Sequence, residues 1–442
     1  MLQTQASDVI ELVAAYLPLK DRLRITQVSK KWREVLLQSP NLWVIEEYND
    51  NLGVSPKLRT ISLDAGSLSA FRLFLSKRRH ARPVVLGTSE PQSLSELVDT
   101  LNAYAPNKIE GLDLGWRNPV PFTWNVHVLT KLPSLQSLRF RSDSLIFETF
   151  SLTALTALTR LEAACLLVVV DKNCFPSSLR SLTLTEYDNR SMYLEGSQNL
   201  RTVKLTSLIL RSAFGFRNSV DPDWVYESLC EIETLQNLEI DCNLVDIDLH
   251  WPREVSRLTD LTKLKLGYVY NYDSSKGSIS NLRNLQSFEL ACWPVAADSS
   301  PPTGLFELPL LDTVSLSGRG RFKFEGPAVW QIETLTLELQ SIVRYDFSQP
   351  LLHEPRLKHL TINGVPPVDG LLPAGQTDAI NSTLESLLKF LAPLKTFKSL
   401  KFSRSILSGR VTQGTVGRIV EFVQKRPDVE MDLNIPSSDR GD

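Results

Sequence analysis

From Leu58 onward one arrangement of apolar and polar positions keeps returning: an apolar residue, two others, an apolar residue, one other, and an apolar residue. It reads Leu58-Ile61-Leu63, Ile109-Leu112-Leu114, Leu135-Leu138-Phe140, Leu179-Leu182-Leu184, Leu200-Val203-Leu205, Leu235-Leu238-Ile240 and Leu261-Leu264-Leu266. It continues as Leu285-Phe288-Leu290, Leu311-Val314-Leu316, Ile332-Leu335-Leu337, Leu357-Leu360-Ile362 and Phe397-Leu400-Phe402, while Leu158-Leu161 opens a copy that ends on Ala163. The last two apolar residues of a copy share one face of a short strand, and the first tucks in where the strand starts. Copies recur about every 21 to 26 residues, and each leaves apolar surface bare until a neighbour stacks on it. A buried leucine contributes roughly 1.5–3 kcal/mol before conformational entropy is subtracted, so such units hold together only as a stack.

Between the copies the pattern changes. Ser67–His80 and Ser93–Tyr104 have serine caps and a helical period, with Pro83-Val84-Val85-Leu86 between them as a strand. Later connectors such as 152–158 and 255–261 suit single turns. A helix over 377–391, another over 413–426 and a last strand over 429–433 are predicted to close the array, because an open stack exposes its core. Residues 436–442 read as a disordered tail.

The opening residues follow a different rule. Val9, Ile10, Leu12, Val13, Tyr16 and Leu17 fall at helical spacing over an arc wider than one neighbour covers. Pro18 ends that helix, and Ser29 caps a later one on which Trp32, Val35 and Leu36 recur at helical spacing. Some forty residues bury too little surface to be stable alone, so this head needs the rest of the chain and has apolar surface to offer a partner.

Composition narrows the function. With 42% hydrophobic and 22% charged residues and a net charge of -2, the chain has the make-up of a globular protein and no general attraction to nucleic acid or anionic membrane. Five cysteines, none in a Cys-x-x-Cys pair, fit reduced intracellular thiols. The five histidines are isolated, and no phosphate loop, nucleophile elbow or His-Glu-x-x-His helix occurs, so the expectation is a non-catalytic protein with no cofactor and no metal. Asn189-Arg190-Ser191 and Asn381-Ser382-Thr383 match the glycosylation sequon and are read as chance matches.

Binding chemistry is expected on the polar positions of the strands. Arg139, Arg141 and Arg160 come together across adjacent strands and suit an acidic or phosphorylated segment, since arginine holds oxyanions by paired bonds. Glu239 and Asp241 fall beside Lys263 and Lys265 and neutralise one another. Trp116, Tyr187, Tyr268, Tyr270, Tyr272 and Trp293 are expected just beyond the strands, as a ridge of aromatic anchors.

Two resemblances organise these features. Tyr16-Leu17-Pro18-Leu19-Lys20-Asp21, Leu23-Arg24, Val28-Ser29-Lys30-Lys31-Trp32-Arg33 and Pro40-Asn41-Leu42-Trp43 resemble an F-box in order and spacing, although Gln5-Ala6 stands where that family opens with Leu-Pro. The recurring triplets resemble leucine-rich repeats. The resemblances imply an α/β fold: a three-helix F-box over 1–48, then a leucine-rich-repeat solenoid with its C-terminal cap over 49–435, its parallel sheet on the concave face and its helices and loops on the convex face. They imply docking to a Skp-type adaptor, and through it to a cullin-RING ubiquitin ligase, by Val9, Val13, Leu17, Pro18, Leu23, Val28 and Trp32. The repeats would hold a protein substrate in the cytoplasm, the nucleus or both, with no nucleic acid or membrane as partner. A repeat scaffold outside any ligase, and a small-molecule sensor with its ligand under 210–225 or 366–375, fit the same residues.

Overall fold

The computed structural model describes residues 10, 13, 25, 29, 32, 35, 60–63, 85–88, 98–99, 102, 111–113, 126–141, 144–146, 151–164, 167–169, 174–185, 192–195, 197–212, 216–217, 229–242, 254–270, 277–293, 301–318, 327–338, 354–363, 376–402 and 412–433. The chain divides into two compact units, Met1–Leu205 and Thr206–Asp442.

In the first unit the triplets become parallel strands: β1 (Thr60–Leu63), β2 (Val85–Thr88), β3 (Gly111–Asp113), β4 (Ser137–Arg141), β6 (Arg160–Ala164) and β8 (Ser181–Thr185), hydrogen-bonded in that order. Register is strict. Leu112, Leu138, Leu161 and Leu182 lie side by side and are all buried to within 1%. A second parallel sheet contains β5 (Ser144–Ile146), β7 (Leu167–Val169) and β9 (Met192–Glu195). The sequence pattern did not show this sheet. Its three- and four-residue strands are too short for a period-2 signal, and 166–170 stands out in the sequence only as an apolar run.

The second unit has β10 (Ser207–Ser212), the two-residue β11 (Phe216–Arg217), β12 (Asn237–Cys242), β13 (Lys263–Tyr270) and β14 (Ser287–Trp293). These are followed by β15 (Thr313–Gly318), β16 (Thr334–Glu338), β17 (His359–Asn363), β18 (Ser399–Phe402) and β19 (Glu430–Leu433). All but β11 pair in parallel, each with the next. Leu208, Leu238, Leu264, Phe288, Val314, Leu335, Leu360 and Leu400 form one fully buried row, each at 0% exposure. Two helices close the sequence of strands, α1 (Gln376–Leu391) and α2 (Gln413–Lys425), within a residue or two of their predicted limits.

The spacing of each repeat has a hydrogen-bond cause. Leucines three apart close single turns, as in Leu135 N to Leu132 O (3.1 Å), Leu158 N to Leu155 O (2.9 Å) and Leu285 N to Leu282 O (2.9 Å), which satisfies the backbone without a helix. The residue ahead of a strand then accepts two amides of the next repeat: Gln236 O takes Thr262 N at 2.8 Å and Lys263 N at 3.0 Å, and Thr262 O takes Gln286 N and Ser287 N in turn.

One predicted copy is out of register. Leu200-Val203-Leu205 is not a strand: Ser197–Thr202 forms a 3-10 turn, Val203 N donates to Leu200 O, and the strand begins at Ser207. Leu205-Leu208-Leu210 is the true triplet, and it shares Leu205 with the false one. The polar face at this repeat therefore carries Ser207, Ile209 and Arg211 in place of Thr202, Lys204 and Thr206. The predicted helices over 67–80 and 93–104 lie mostly outside the described residues, with Val98, Asp99 and Asn102 helical; the tail 436–442 lies wholly outside them.

Gly304 precedes the 3-10 turn Leu305–Glu307 with φ of 82°, where a Cβ would sit 3.0 Å from Ser280 Cβ. Left-handed backbone costs an L-residue about 1–2 kcal/mol, so Gly304→Ala is expected to destabilise by at least that much. A thermal melt checks it, and an unchanged midpoint would mean that this turn adopts another conformation.

Candidate binding surfaces

In the opening segment the described positions Ile10, Val13, Ile25, Trp32 and Val35 are all helical. Ser29 caps the last of these stretches, its Oγ accepting from Trp32 N at 3.1 Å, and Trp32 is half-buried on that first turn. Ile10 is 7% exposed, whereas Val13 is 45% exposed. Three residues apart, the two sit on one broad side of a helix and meet different surroundings. Val9, Leu17, Pro18, Leu23 and Val28 lie outside the described residues, as do most positions of the expected three helices.

The polar face of the first unit is less open than its sequence implies. Arg139 on β4 and Glu162 on β6 are register partners, and Glu162, only 7% exposed, lies 3.3 Å from the Arg139 Nε. Arg160, two residues along β6 and so on the same face, approaches Glu162 to 4.0 Å. Two of the three arginines expected to form a basic patch are thus gathered by the carboxylate of Glu162. The signal was available, since Glu162 occupies the same alternating position as Arg160. Arg141 ends β4 opposite Ala164. Thr183, next in the row, is also buried.

A larger charge network crosses β10 to β14 in the second unit. Glu239 is 4% exposed, and its Oε1 accepts from Arg211 Nε at 3.0 Å and from Nη2 at 2.9 Å. Lys265, its register partner, reaches Asp241 at 3.1 Å, Glu289 at 3.3 Å and Glu239 at 4.0 Å, and Lys263 lies 3.9 Å from Glu239. Burial disfavours the charged Lys265, but the carboxylates of Glu289, Asp241 and Glu239 outweigh it and hold the ammonium above the ordinary lysine pKa. The expected mutual neutralisation is present, and it includes Arg211 and Glu289 as well.

The aromatic residues are placed differently from expectation. Tyr268 and Tyr270 belong to β13 and Trp293 to β14, and Tyr270 pairs with Trp293 in the parallel ladder, so they lie within the sheet rather than beyond it. β13 and β14 run longer than their neighbours, with a register shift between Leu266 and Val269 that admits the extra residues. Trp116, Tyr187 and Tyr272 lie outside the described residues.

Other chemistry is sparse among the described residues. They contain no group of three or more His, Cys, Asp or Glu able to hold a metal, and no helix long and apolar enough to cross a membrane. Cys174 and Cys230 are buried. His359 Nδ1 lies 3.1 Å from Ser399 Oγ, a cross-strand pair between β17 and β18. Asn381 is 7% exposed and its Oδ1 accepts from Thr412 N at 2.9 Å, so this sequon side chain is committed inside the cap.

The F-box domain family matches residues 7–43. No curated protein matches the chain. Among solved structures, a chain of the mouse RP105/MD-1 complex is similar at 15% identity and a TM-score of 0.38, over 73% of this chain and 58% of that one. This chain therefore spans somewhat over half the length of that relative. The repeat assignment rests on the buried leucine rows and the parallel register given above. The chain thus matches an F-box domain over residues 7–43, and the parallel strands after it, with their buried leucine rows, resemble leucine-rich repeats.

Proposed function

We propose that this protein is the substrate-recognition subunit of an SCF-type cullin-RING ubiquitin ligase. The observation that carries the reading is the F-box match over residues 7–43, because F-box domains typically bind Skp adaptors in such ligases and are generally non-catalytic. In this reading residues 1–48 form the docking head and 49–435 the client-binding array, with a short tail from 436 onward. Val9, Val13, Leu17, Pro18, Leu23, Val28 and Trp32 make the adaptor contact. An apolar side chain left 45% exposed at Val13 is what such a contact would cover. The chain acts without chemistry of its own, in the cytoplasm or nucleus, by holding client lysines at high effective concentration near the conjugating enzyme. Arg139, Arg141 and Arg160 form one candidate client surface, and Trp116, Tyr187, Tyr268, Tyr270 and Trp293 supply aromatic contacts.

The test is co-purification with a Skp-type adaptor. Wild-type chain is expected to retain the adaptor, and the double variant Leu17→Asp/Trp32→Ala to lose it by about a hundredfold, the scale on which two interface anchors act. Failure of the wild type to associate, or equal association of the variant, removes the ligase reading and leaves a repeat scaffold.

A further inference from the structure

We propose that β19, with the outer flank of α2 beside it, is a docking edge for an extended segment of a partner protein in which basic and apolar residues alternate. The inference goes beyond the ligase reading and does not rest on it. β19 ends the hydrogen-bonded order of strands, so among the described residues it pairs on one side only, with β18. Glu430 N donates to Lys398 O on that side. Backbone groups alternate in direction along a strand, so those of Met431 face the open edge, where a further strand can pair. The core row loses its cover at the same place: Leu360 and Leu400 are fully buried, whereas Met431, next in that row, is half-buried.

Helix α2 is bare at this end of the array. Val416, Val420 and Val423 are 46%, 50% and 36% exposed, while Thr415, Ile419 and Phe422 are buried and hold the helix to the core. Successive residues turn about 100° round a helix, so the three valines lie roughly 140–160° from Arg418. Arg418 marks the side of α1, since Glu421 and then Glu385 of α1 are the carboxylates that raise its pKa. The valines therefore face away from α1, in the direction in which the next unit of a stack would stand. A Cβ added at Gly417, beside them, would meet nothing within 4 Å among the described residues. Arg418, Glu421 and Lys425 pair with one another on the other flank, which leaves the valine flank without charge.

Charge selects the occupant. A strand added to β19 sets its polar-row residues next to Glu430 and Asp432, and neither carboxylate has an ion-pair partner among the described residues. Lys398 and Lys401 stand one strand further in, and neighbouring strands are about 4.8 Å apart, so the acids are the nearer charges. A second copy paired through β19 would set these carboxylates against their own equivalents, and like charges opposite one another destabilise a sheet. Three partly exposed valines also fall far short of the roughly 800 Å² per partner that a stable dimer buries. A segment with lysine or arginine at alternate positions meets Glu430 and Asp432 instead. Its intervening apolar residues continue the row of Met431 against the valines of α2, and its main chain extends the ladder.

The experiment uses the full chain and labelled peptides that alternate valine with lysine, glutamine or glutamate. Their binding is read by fluorescence anisotropy at low ionic strength. Wild type is expected to bind the lysine peptide about tenfold more tightly than the glutamine peptide, and the glutamate peptide least. Glu430→Lys, at an exposed position, is expected to shift the lysine-to-glutamate ratio about tenfold towards glutamate. Val420→Asn is expected to weaken all three peptides about tenfold and leave their ratios unchanged. Methylating every second backbone nitrogen of the lysine peptide, in the phase that faces β19, removes the ladder donors without touching charge and is expected to cost tenfold or more. Equal binding of the lysine and glutamine peptides, a ratio unmoved in Glu430→Lys, or binding indifferent to Val420→Asn or to methylation in both phases each overturns the proposal. If Val420→Asn does not fold, Val416→Asn takes its place. Sedimentation equilibrium of the wild type is expected to show a monomer, and a dimer that Val420→Asn dissociates would give the surface to a second copy and sink the inference.

Discussion

Trp330→Ala is expected to be among the most damaging single substitutions in the second unit, at about 3–5 kcal/mol, the range for emptying a tryptophan site in a packed core. Trp330 lies in the 3-10 segment Pro327–Gln331, is 1% exposed, and meets Phe390 of α1 at 4.8 Å between ring centroids with planes tilted by 44°. It therefore fastens the capping helix to the repeat that precedes it. An aromatic pair of this geometry adds roughly 0.5–1.5 kcal/mol beyond the area it buries, which Trp330→Leu would forfeit while keeping most of the volume. Urea denaturation reads the total loss, and amide exchange in α1 reads where it falls. A shift below about 1 kcal/mol would show that the cap does not lean on this side chain.

Arg426→Ala is expected to cost about 3 kcal/mol through a different mechanism, the loss of a part-buried cation that donates to several backbone carbonyls at once. The Arg426 side chain is 12% exposed and follows directly on α2. Its Nη1 donates to Ala392 O and Leu394 O, both at 2.9 Å, and its Nη2 to Phe397 O at 3.0 Å. These carbonyls belong to the turn that leads from α1 to β18, where Leu394 O also accepts from Phe397 N at 3.2 Å. Asp428 holds the guanidinium in plane by accepting from Nε at 2.9 Å and from Nη2 at 2.8 Å. Arg426→Lys should recover little, because an ammonium cannot reproduce a planar fork. The same denaturation series checks both variants, and full stability of Arg426→Lys would reduce the argument to charge alone. Trp330 and Arg426 both secure α1, so their combined loss is expected to be less than additive once either has freed the helix.

The parts legible in the sequence were those governed by strict alternation over several residues. Leu138 and Phe140, Leu264 and Leu266, or Leu360 and Ile362 have to point one way, and each pair is buried in its strand. The Leu200 repeat failed for a related reason. Leu200, Val203, Leu205, Leu208 and Leu210 satisfy two overlapping triplets, and the choice between them depends on which one meets its neighbour in register. The Arg139–Glu162 pair is not legible along the sequence, because pairing across strands joins residues of opposite sign more than twenty positions apart. The triplets place Glu239 beside Lys263 and Lys265, but Arg211 joins that face only when the strand begins at Ser207.

By itself, the sequence determined that parallel strands recur with leucines facing one core, and that helices follow the late strands. These follow from periodicity and local backbone chemistry, which act over a few residues. Tertiary structure alone decided which polar side chains on the outer face are buried, which charges meet, and that β5, β7 and β9 form a second sheet. The physical reason is range: an ion pair or a ladder bond between repeats is set by the stacking of units some twenty to thirty residues apart, and a window of a few residues contains only one of its partners.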